Sequence, residues 1–346
     1  MSAEFPALLG RLLGAAQGQV DPADVRAAFD AILAGAWTPV QVGAFAITLR
    51  VRGETAEAIV AAAESMRAAM KRVDHGLPVV VDTCGTGGDG AQTLNLSSAA
   101  AVIVAACGLP VAKHGNRSIS SRCGSADVLE ALGIPVDVPP GRQAAVLREA
   151  GITFLFAPAH HPALQHAGQA RRELGTRTIF NALGPLVNPA RATHQLVGVY
   201  EEALRPVAAR ALGRLGSTRA WVVRGEDGLD EVSPCAPTRV SELAEDGEVR
   251  ERVVTPEDFG IARGERSAIA GGDATGNAEA LVAILEGAKH PARDAVVLNA
   301  AAALVVATGD PPKAAAERAR KAIDGGGARA VLETWRRVAR RVRDEG

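Results

Sequence analysis

The residues with the clearest chemical potential stand in three short stretches: "DTCGTGGDG" (82–90), "KHGNRSISS" (113–121) and "GLDEVSP" (228–234). In the first, Gly85, Gly87 and Gly90 spell G-x-G-x-x-G directly after a β-branched run, the spacing of a dinucleotide-binding turn. Such a turn needs an acid about 20 residues further on to accept the ribose hydroxyls. Between Gly90 and Ala126 there is no Asp or Glu, whereas Lys113, His114, Arg117 and Arg122 all fall there. A P-loop is excluded as well, because G-x-x-x-x-G-K-[ST] does not occur.

What remains is the chemistry of holding a highly charged anion. Glycines let backbone N–H groups come close to phosphate oxygens, and the helix start at Asn95, Ser97 and Ser98 offers the positive end of its dipole. Lys113 contributes a full charge, while amides and hydroxyls orient the ligand without adding more. Either loop alone reads equally well as a tight turn or a solvated surface loop; their pairing across an acid-free stretch favours the anion. In the third stretch Asp230 and Glu231 are adjacent. Neighbouring carboxylates are usually solvated turn residues, but beside a polyphosphate such hard oxygen donors can hold Mg²⁺. Asp89 is left as a ribosyl or loop-ordering contact.

These loops need elements to position them. From Pro6 to about Arg72 apolar residues recur at helical spacing, with Asp21 and Pro22 as a helix start, which predicts a bundle of about four helices. At "VDHGLPVVVD" the pattern changes to a hinge and a buried strand. Beyond it, "NLSSAAAVIVAACG" reads as a helix, "LPVAKHG" as a strand and "SADVLEALGI" as a helix with Ser125 and Asp127 near its start. "FLFAPAHHP", "HQLVGVY", "RAWVVRGEDG" and "DAVVLNAAAALVVATG" continue the alternation of an α/β domain with a mostly parallel sheet. Residues from about Pro237 to Arg266 read as an antiparallel excursion or surface insertion.

Composition bounds the partners. The 346 residues are 47% hydrophobic, ample for a core, and 38 Lys+Arg against 39 Asp+Glu leave a net charge of -1. No global field draws the chain to nucleic acid or to an anionic membrane. Cys84, Cys107, Cys123 and Cys235 lack C-x-x-C spacing and read as reduced thiols. With no apolar run of spanning length and no signal-peptide pattern at the start, a cytoplasmic location is expected. His160, His161 and His166 have no neighbouring acid and read as a helix-start cluster facing a cleft rather than a zinc site. The basic "WRRVARRVRDEG" has helical spacing and reads as a solvated helix face.

Taken together, "DTCGTGGDG", "NLSSAAAVIVAACG", "KHGNRSISSRCGSADVLEALG", "RRELGTRTIFNALGPLVNP" and "GLDEVSP" resemble the anthranilate phosphoribosyltransferase family. The resemblance implies a helical N-terminal domain (1–72) that forms a homodimer and a hinged α/β domain (73–346), part of 162–178 packing on the helical domain. The implied reaction joins anthranilate to 5-phosphoribosyl 1-diphosphate with Mg²⁺, in tryptophan biosynthesis. It assigns Gly85, Gly88 and Asp89 to the phosphoribosyl diphosphate loop, continued by Thr93, Asn95, Leu96, Ser97 and Ser98. Lys113, His114, Gly115, Asn116, Arg117, Ser118, Ile119, Ser120 and Ser121 would line phosphates and ribose, with Ser125 just beyond. Asn116 and Arg171 would contact anthranilate, and Ser97, Asp230 and Glu231 would hold the metal. No catalytic base is assigned: His114 has the chemistry to take a proton after attack, but a lone loop histidine is more often structural. Ser98, Cys123 and Ala182 depart from the residues frequent in the family, which bears on pocket shape. Two alternatives stay open, a pyrimidine nucleoside phosphorylase and a non-catalytic nucleic-acid-binding relative; the second should be strongly basic.

Overall fold

The computed structural model describes residues 5–118 and 122–345. Four helices open the chain: α1 (Phe5–Gly14), α2 (Pro22–Leu33), α3 (Pro39–Arg52) and α4 (Ala56–Ala69). Their boundaries follow local chemistry. Asp21 caps α2 by accepting from the Ala23 N–H at 2.8 Å, with Pro22 in the first turn, and Thr38 and Gln41 close a capping box on α3.

The remainder is a larger α/β domain built on a seven-stranded sheet of order β3-β2-β1-β4-β5-β6-β7. Its strands are β1 (Val81–Gly85), β2 (Val111–Gly115), β3 (Ile152–Phe156), β4 (His194–Gly198), β5 (Arg219–Gly225), β6 (Thr238–Leu243) and β7 (Val249–Val254). The first five run parallel, and the sheet is thus mostly parallel as the alternating pattern predicted. The expected antiparallel excursion is the β6–β7 hairpin, which extends the sheet at its edge. Because β1 is followed by β2 and β3 on one side and by β4 and β5 on the other, the strand order reverses between β1 and β4. A crevice opens at the carboxyl ends of strands at such a point.

On one face of the sheet, α5 (Leu96–Ala106) packs against the helix Arg293–Thr308, and both are buried almost all round. That second helix carries a single buried amide side chain, Asn299. On the other face an apolar core runs unbroken from Leu8 and Phe29 through Phe180 to Leu212 and Val222, so the N-terminal helices and the sheet share it. The helix Gly168–Leu174 lies in that layer against α3. Among the described residues no single helix is long and apolar enough to cross a membrane. Cys84, Cys107 and Cys235 are free thiols.

Candidate active site

Four of the parallel strands end in glycine: Gly85, Gly115, Gly198 and Gly225. At Gly115 and Gly198 the reason is close approach. A Cβ on Gly115 would stand 2.2 Å from Ser125 Oγ, and one on Gly198 would stand 1.5 Å from the Asp230 carbonyl oxygen. Loops therefore lie directly across the strand ends, which places their polar groups in the crevice.

After β1, Gly87, Gly88 and Gly90 all take positive φ, which only glycine adopts without cost. The Gly87 N–H donates to Asp230 Oδ2 at 2.8 Å. Asp89 accepts from the Ala91 N–H at 3.0 Å and from the Asp230 N–H at 3.4 Å, so of its two expected roles the loop-ordering one is visible. Thr93 pairs with Ala270 in an isolated bridge that holds the far end of the loop. The chain then enters α5, whose first turn has no side-chain cap: Asn95 instead donates to the Cys123 carbonyl at 3.3 Å and accepts from Asn277 at 3.0 Å. A helix start whose first turn lacks a side-chain cap still presents the positive end of its dipole, which favours an anion. Ser98 Oγ is buried there without a hydrogen-bond partner. Leu96 has its side chain in the core and its N–H donated to the Leu94 carbonyl.

Lys113 on β2 is 2% exposed and donates to the Thr83 carbonyl at 2.5 Å and to Ser97 Oγ at 3.2 Å. A buried ammonium needs counter-charge, which Asp82 and Glu231 supply within its field. Asp82 itself is fully buried, accepting from the His114 N–H at 3.1 Å and from Asn188 at 2.7 Å; burial pushes its carboxyl up to about 6, against the pull of Lys113.

Opposite the lysine sit Asp230 and Glu231. Burial, then the charges of Asp89 and Glu231, raises Asp230 well above the usual carboxylate range, and burial pushes Glu231 up to about 7. Crowded carboxylates of this kind are relieved by a divalent cation. The donors are all oxygen, with Ser97 bonded to Glu231, which suits a hard ion rather than zinc. Among the described residues no group of three or more His, Cys, Asp or Glu gathers as a cage, and Mg²⁺ needs only one or two carboxylates when phosphate oxygens complete its shell. Asn299 pins this loop: its side chain accepts from the Val232 N–H at 2.9 Å and donates to the Val232 carbonyl at 3.0 Å.

In the loop after β2, Asn116 accepts from the Arg117 N–H at 2.7 Å, and its carbonyl accepts from Ser125 Oγ at 3.2 Å. Arg117 turns away from the crevice to pair with Asp127 at 3.0 Å and Glu130 at 2.6 Å, over the Phe156 ring. The Ser118 N–H donates to Asp127. Ile119, Ser120 and Ser121 lie outside the described residues. Arg171 sits on the helix Gly168–Leu174 with its guanidinium 5.7 Å from the Phe180 ring, lowered by burial and paired with no carboxylate among the described residues.

The histidines do not form the single cluster expected of them. His160 is turned to the Lys71 carbonyl at 2.7 Å, His166 to Gly35 of the helical layer, and the His161 ring lies 5.3 Å from that of His114, tilted by 60°. The fold separates them because a short helix ends at His160 and a 3-10 turn begins at Pro162, so successive side chains leave in different directions. His114 Nδ1 meets the Gly184 carbonyl at 2.9 Å, which makes Nδ1 the protonated nitrogen and leaves Nε2 with its lone pair and no partner.

Burial lowers His114 and His160, and brings His161 down to about 4. The unfolded chain therefore binds more protons between about pH 6.5 and 4, so His161 takes away roughly 3 kcal/mol of stability as pH falls across that window. Urea unfolding of wild type and of His161→Gln at pH 7.5 and at 4.5 should show wild type losing its advantage in acid. A constant difference would mean that His161 does not titrate on unfolding.

Asn188, Asn277, Asn299, Gly198 and Arg177 were not singled out from sequence. Asn299 alone left a signal there, as the one amide in an otherwise apolar helix.

The chain is similar to known proteins over nearly its whole length. Residues 77–329 match the a/b domain of a glycosyl transferase family, and residues 8–70 match the helical bundle domain of the same description. An anthranilate phosphoribosyltransferase of Myxococcus xanthus is 53% identical over 302 residues, 87% of this chain and 89% of that protein. One of Moorella thermoacetica is 51% identical over 312 residues, 90% and 92% of the two chains. Among solved structures, the Thermus thermophilus anthranilate phosphoribosyltransferase superposes with a TM-score of 0.90 at 39% identity, covering 96% of this chain and 99% of that one. The Saccharomyces cerevisiae enzyme in complex with PRPP and Mg does so with a TM-score of 0.90 at 29% identity, covering 99% of both.

Proposed function

The chain belongs to the anthranilate phosphoribosyltransferase family, and from that premise we propose how its crevice performs the family's reaction. The enzyme transfers the 5-phosphoribosyl group of 5-phosphoribosyl 1-diphosphate (PRPP) to the amine of anthranilate, a step of tryptophan biosynthesis, and releases diphosphate. One observation carries the assignment of residues. At a single sheet edge stand an uncapped helix start, a buried lysine and a crowded carboxylate pair, the charge pattern that a metal-bound diphosphate would balance.

The glycine loop of Gly85, Gly88 and Asp89, with Thr93 and the first turn at Asn95, Ser97 and Ser98, takes the diphosphate; Ser98 Oγ has a free valence for it. Asn116 and Ser125 would line the ribose. Asp230 and Glu231, with Ser97, would hold Mg²⁺; that the Saccharomyces cerevisiae enzyme is in complex with PRPP and Mg supports use of the ion. That ion would supply charge neutralisation on the departing diphosphate. In the displacement the bond from the ribose carbon to the diphosphate oxygen breaks, the amine nitrogen bonds to that carbon, and one amine proton is released. Lys113 adds its charge beneath the same oxygens through Ser97. An aromatic amine is neutral at physiological pH, so no strong base has to act before attack. His114, held neutral, offers Nε2 as an acceptor that orients the amine. Arg171, without an acidic partner of its own, takes the carboxylate of anthranilate in a two-pronged pair.

The helical layer 1–72 is the dimerisation domain in this reading, and 73–346 the donor-binding domain, with the helix Gly168–Leu174 packed on the former. Val40 and Val51 are 81% and 65% exposed, and with Ala44 and Ile47 they fall on one stripe of α3, which a second copy would cover. Free thiols and the absence of a spanning helix among the described residues support a cytoplasmic enzyme.

Anthranilate fluorescence should fall when PRPP and Mg²⁺ are added to the purified protein. Retention of signal together with phosphorolysis of thymidine or uridine would replace the assignment. In the same assay Arg171→Ala should raise the KM for anthranilate at least tenfold and change kcat less, the pattern of lost ground-state binding; an unchanged KM would remove Arg171 from the acceptor site.

A further inference from the structure

The segment that carries Arg171 continues to a second arginine on which the donor loop rests. The helix Gly168–Leu174 ends at Gly175 in the left-handed conformation, with φ 57°, and the next helix, Ile179–Ala182, begins in a capping box at Thr178. Arg177 stands in the short link between them. Its Nη2 donates to the Gly88 carbonyl, and a Cβ on Gly88 would lie 3.4 Å from its Nε, so guanidinium and glycine loop are in contact. The guanidinium also lies 4.5 Å from the centre of the Tyr200 ring. Tyr200 is itself fixed: it is 5% exposed at the end of β4, and its N–H donates to Thr86 Oγ1 at 3.1 Å, in the same glycine loop. The other end of the segment is anchored in the helical layer, since Phe180, under Arg171, packs 5.3 Å from Phe29 of α2. Neither arginine is ion-paired among the described residues, so each charge is available to a ligand or to the loop it touches.

Resting on the acceptor and donor sites assigned above, we propose that Arg177 couples them: the one short segment 168–182 holds the acceptor carboxylate through Arg171 and the glycine loop through Arg177. Fixing the direction of the Gly88 carbonyl also fixes the opposed N–H of Asp89 across the planar peptide, so Arg177 sets how the loop presents its donors. A carboxylate drawn onto Arg171 immobilises the segment, and with it the guanidinium that orders the loop; PRPP then binds a loop already in place. By linkage the effect is reciprocal. Arg177 is in these terms a positioning residue, acting through Gly88 and Tyr200.

Benzoate, an aromatic carboxylate with no amine, reports the coupling without turnover. Isothermal titration of the full-length protein with PRPP and Mg²⁺, with and without saturating benzoate, should show wild type binding PRPP about fivefold or more tightly when benzoate is present, the lower range of such couplings. Arg177→Ala should bind PRPP about tenfold more weakly and lose the benzoate effect. Tyr200→Leu, which removes the ring, should change both in the same direction, and Arg177→Lys, which keeps a donor for Gly88 but not a flat cation for the ring, should fall between. A benzoate effect of wild-type size in Arg177→Ala and in Tyr200→Leu, or PRPP affinity within twofold of wild type in both, would overturn the proposal. Wild type that binds PRPP but ignores benzoate refutes the coupling alone; wild type that binds no PRPP refutes the underlying reading as well.

Discussion

Replacing Asp230 with Asn and Glu231 with Gln together is expected to lower kcat/KM by about a thousandfold, roughly 4 kcal/mol of lost stabilisation at the departing diphosphate. The isosteric pair isolates charge from shape. An amide at 230 still presents an oxygen to the Gly87 N–H, now 2.8 Å from Oδ2, so the glycine loop keeps its support. What disappears is the negative charge of two carboxyls that burial, first of all, raises. Activity measured across a Mg²⁺ titration should lose its dependence on the ion in the double variant, and an unaltered titration curve would refute the role. Protons compete for the same oxygens. With Glu231 at about 7, the wild-type apparent Mg²⁺ constant should weaken as pH falls through that value and strengthen above it. The double variant should show no such slope.

Gly198→Ala should be nearly as damaging, although it removes no functional group. Its Cβ would be placed 1.5 Å from the carbonyl oxygen of Asp230 and 2.4 Å from the carbonyl carbon, both backbone atoms. No rotamer change relieves that overlap, so the 226–233 loop must move off the end of β4 or the strand must shift against Gly85 and Val223. Overpacking of this kind costs about 1–3 kcal/mol of stability. The loss of activity should exceed the loss of stability: at least a hundredfold in kcat/KM, with weaker Mg²⁺ dependence, in a protein that still unfolds cooperatively. Gly85→Ala provides the contrast, since its nearest neighbour is the Asp230 carboxylate at 3.0 Å, a side-chain atom that can turn aside. Wild-type activity in Gly198→Ala would show that the position of Asp230 is not critical.

The donor site was legible before any coordinates because its parts are local. Positive φ at Gly87, Gly88 and Gly90, a helix opening at Asn95 and a lysine within a short strand are each properties of a few consecutive residues. The glycine loop misleads only in isolation: its spacing suits a dinucleotide, and the acid-free run after it removes that reading. Arg117 could not be judged in this way. Its loop is cationic by composition, yet in the fold its charge is spent on Asp127 and Glu130, one and two helical turns beyond the loop. The three adjacent-looking histidines likewise face three different surroundings, because a helix and a turn meet between them.

By itself the sequence determined which elements form and, through its ordered motifs, the family, and it pointed to the β1 and β2 loops as the place for a multiply charged anion. Those features depend on backbone conformation and on residue type, which neighbours along the chain dictate. Only the tertiary structure decided that Asp230 lies against the glycine loop, that Asn188, Asn277 and Asn299 pin the loops from within the core, and that Arg177, on the segment that carries Arg171, reaches the Gly88 carbonyl. These are contacts between residues tens to hundreds of positions apart. They exist because the strand order reverses between β1 and β4, and that order is set by how the whole sheet buries its two faces.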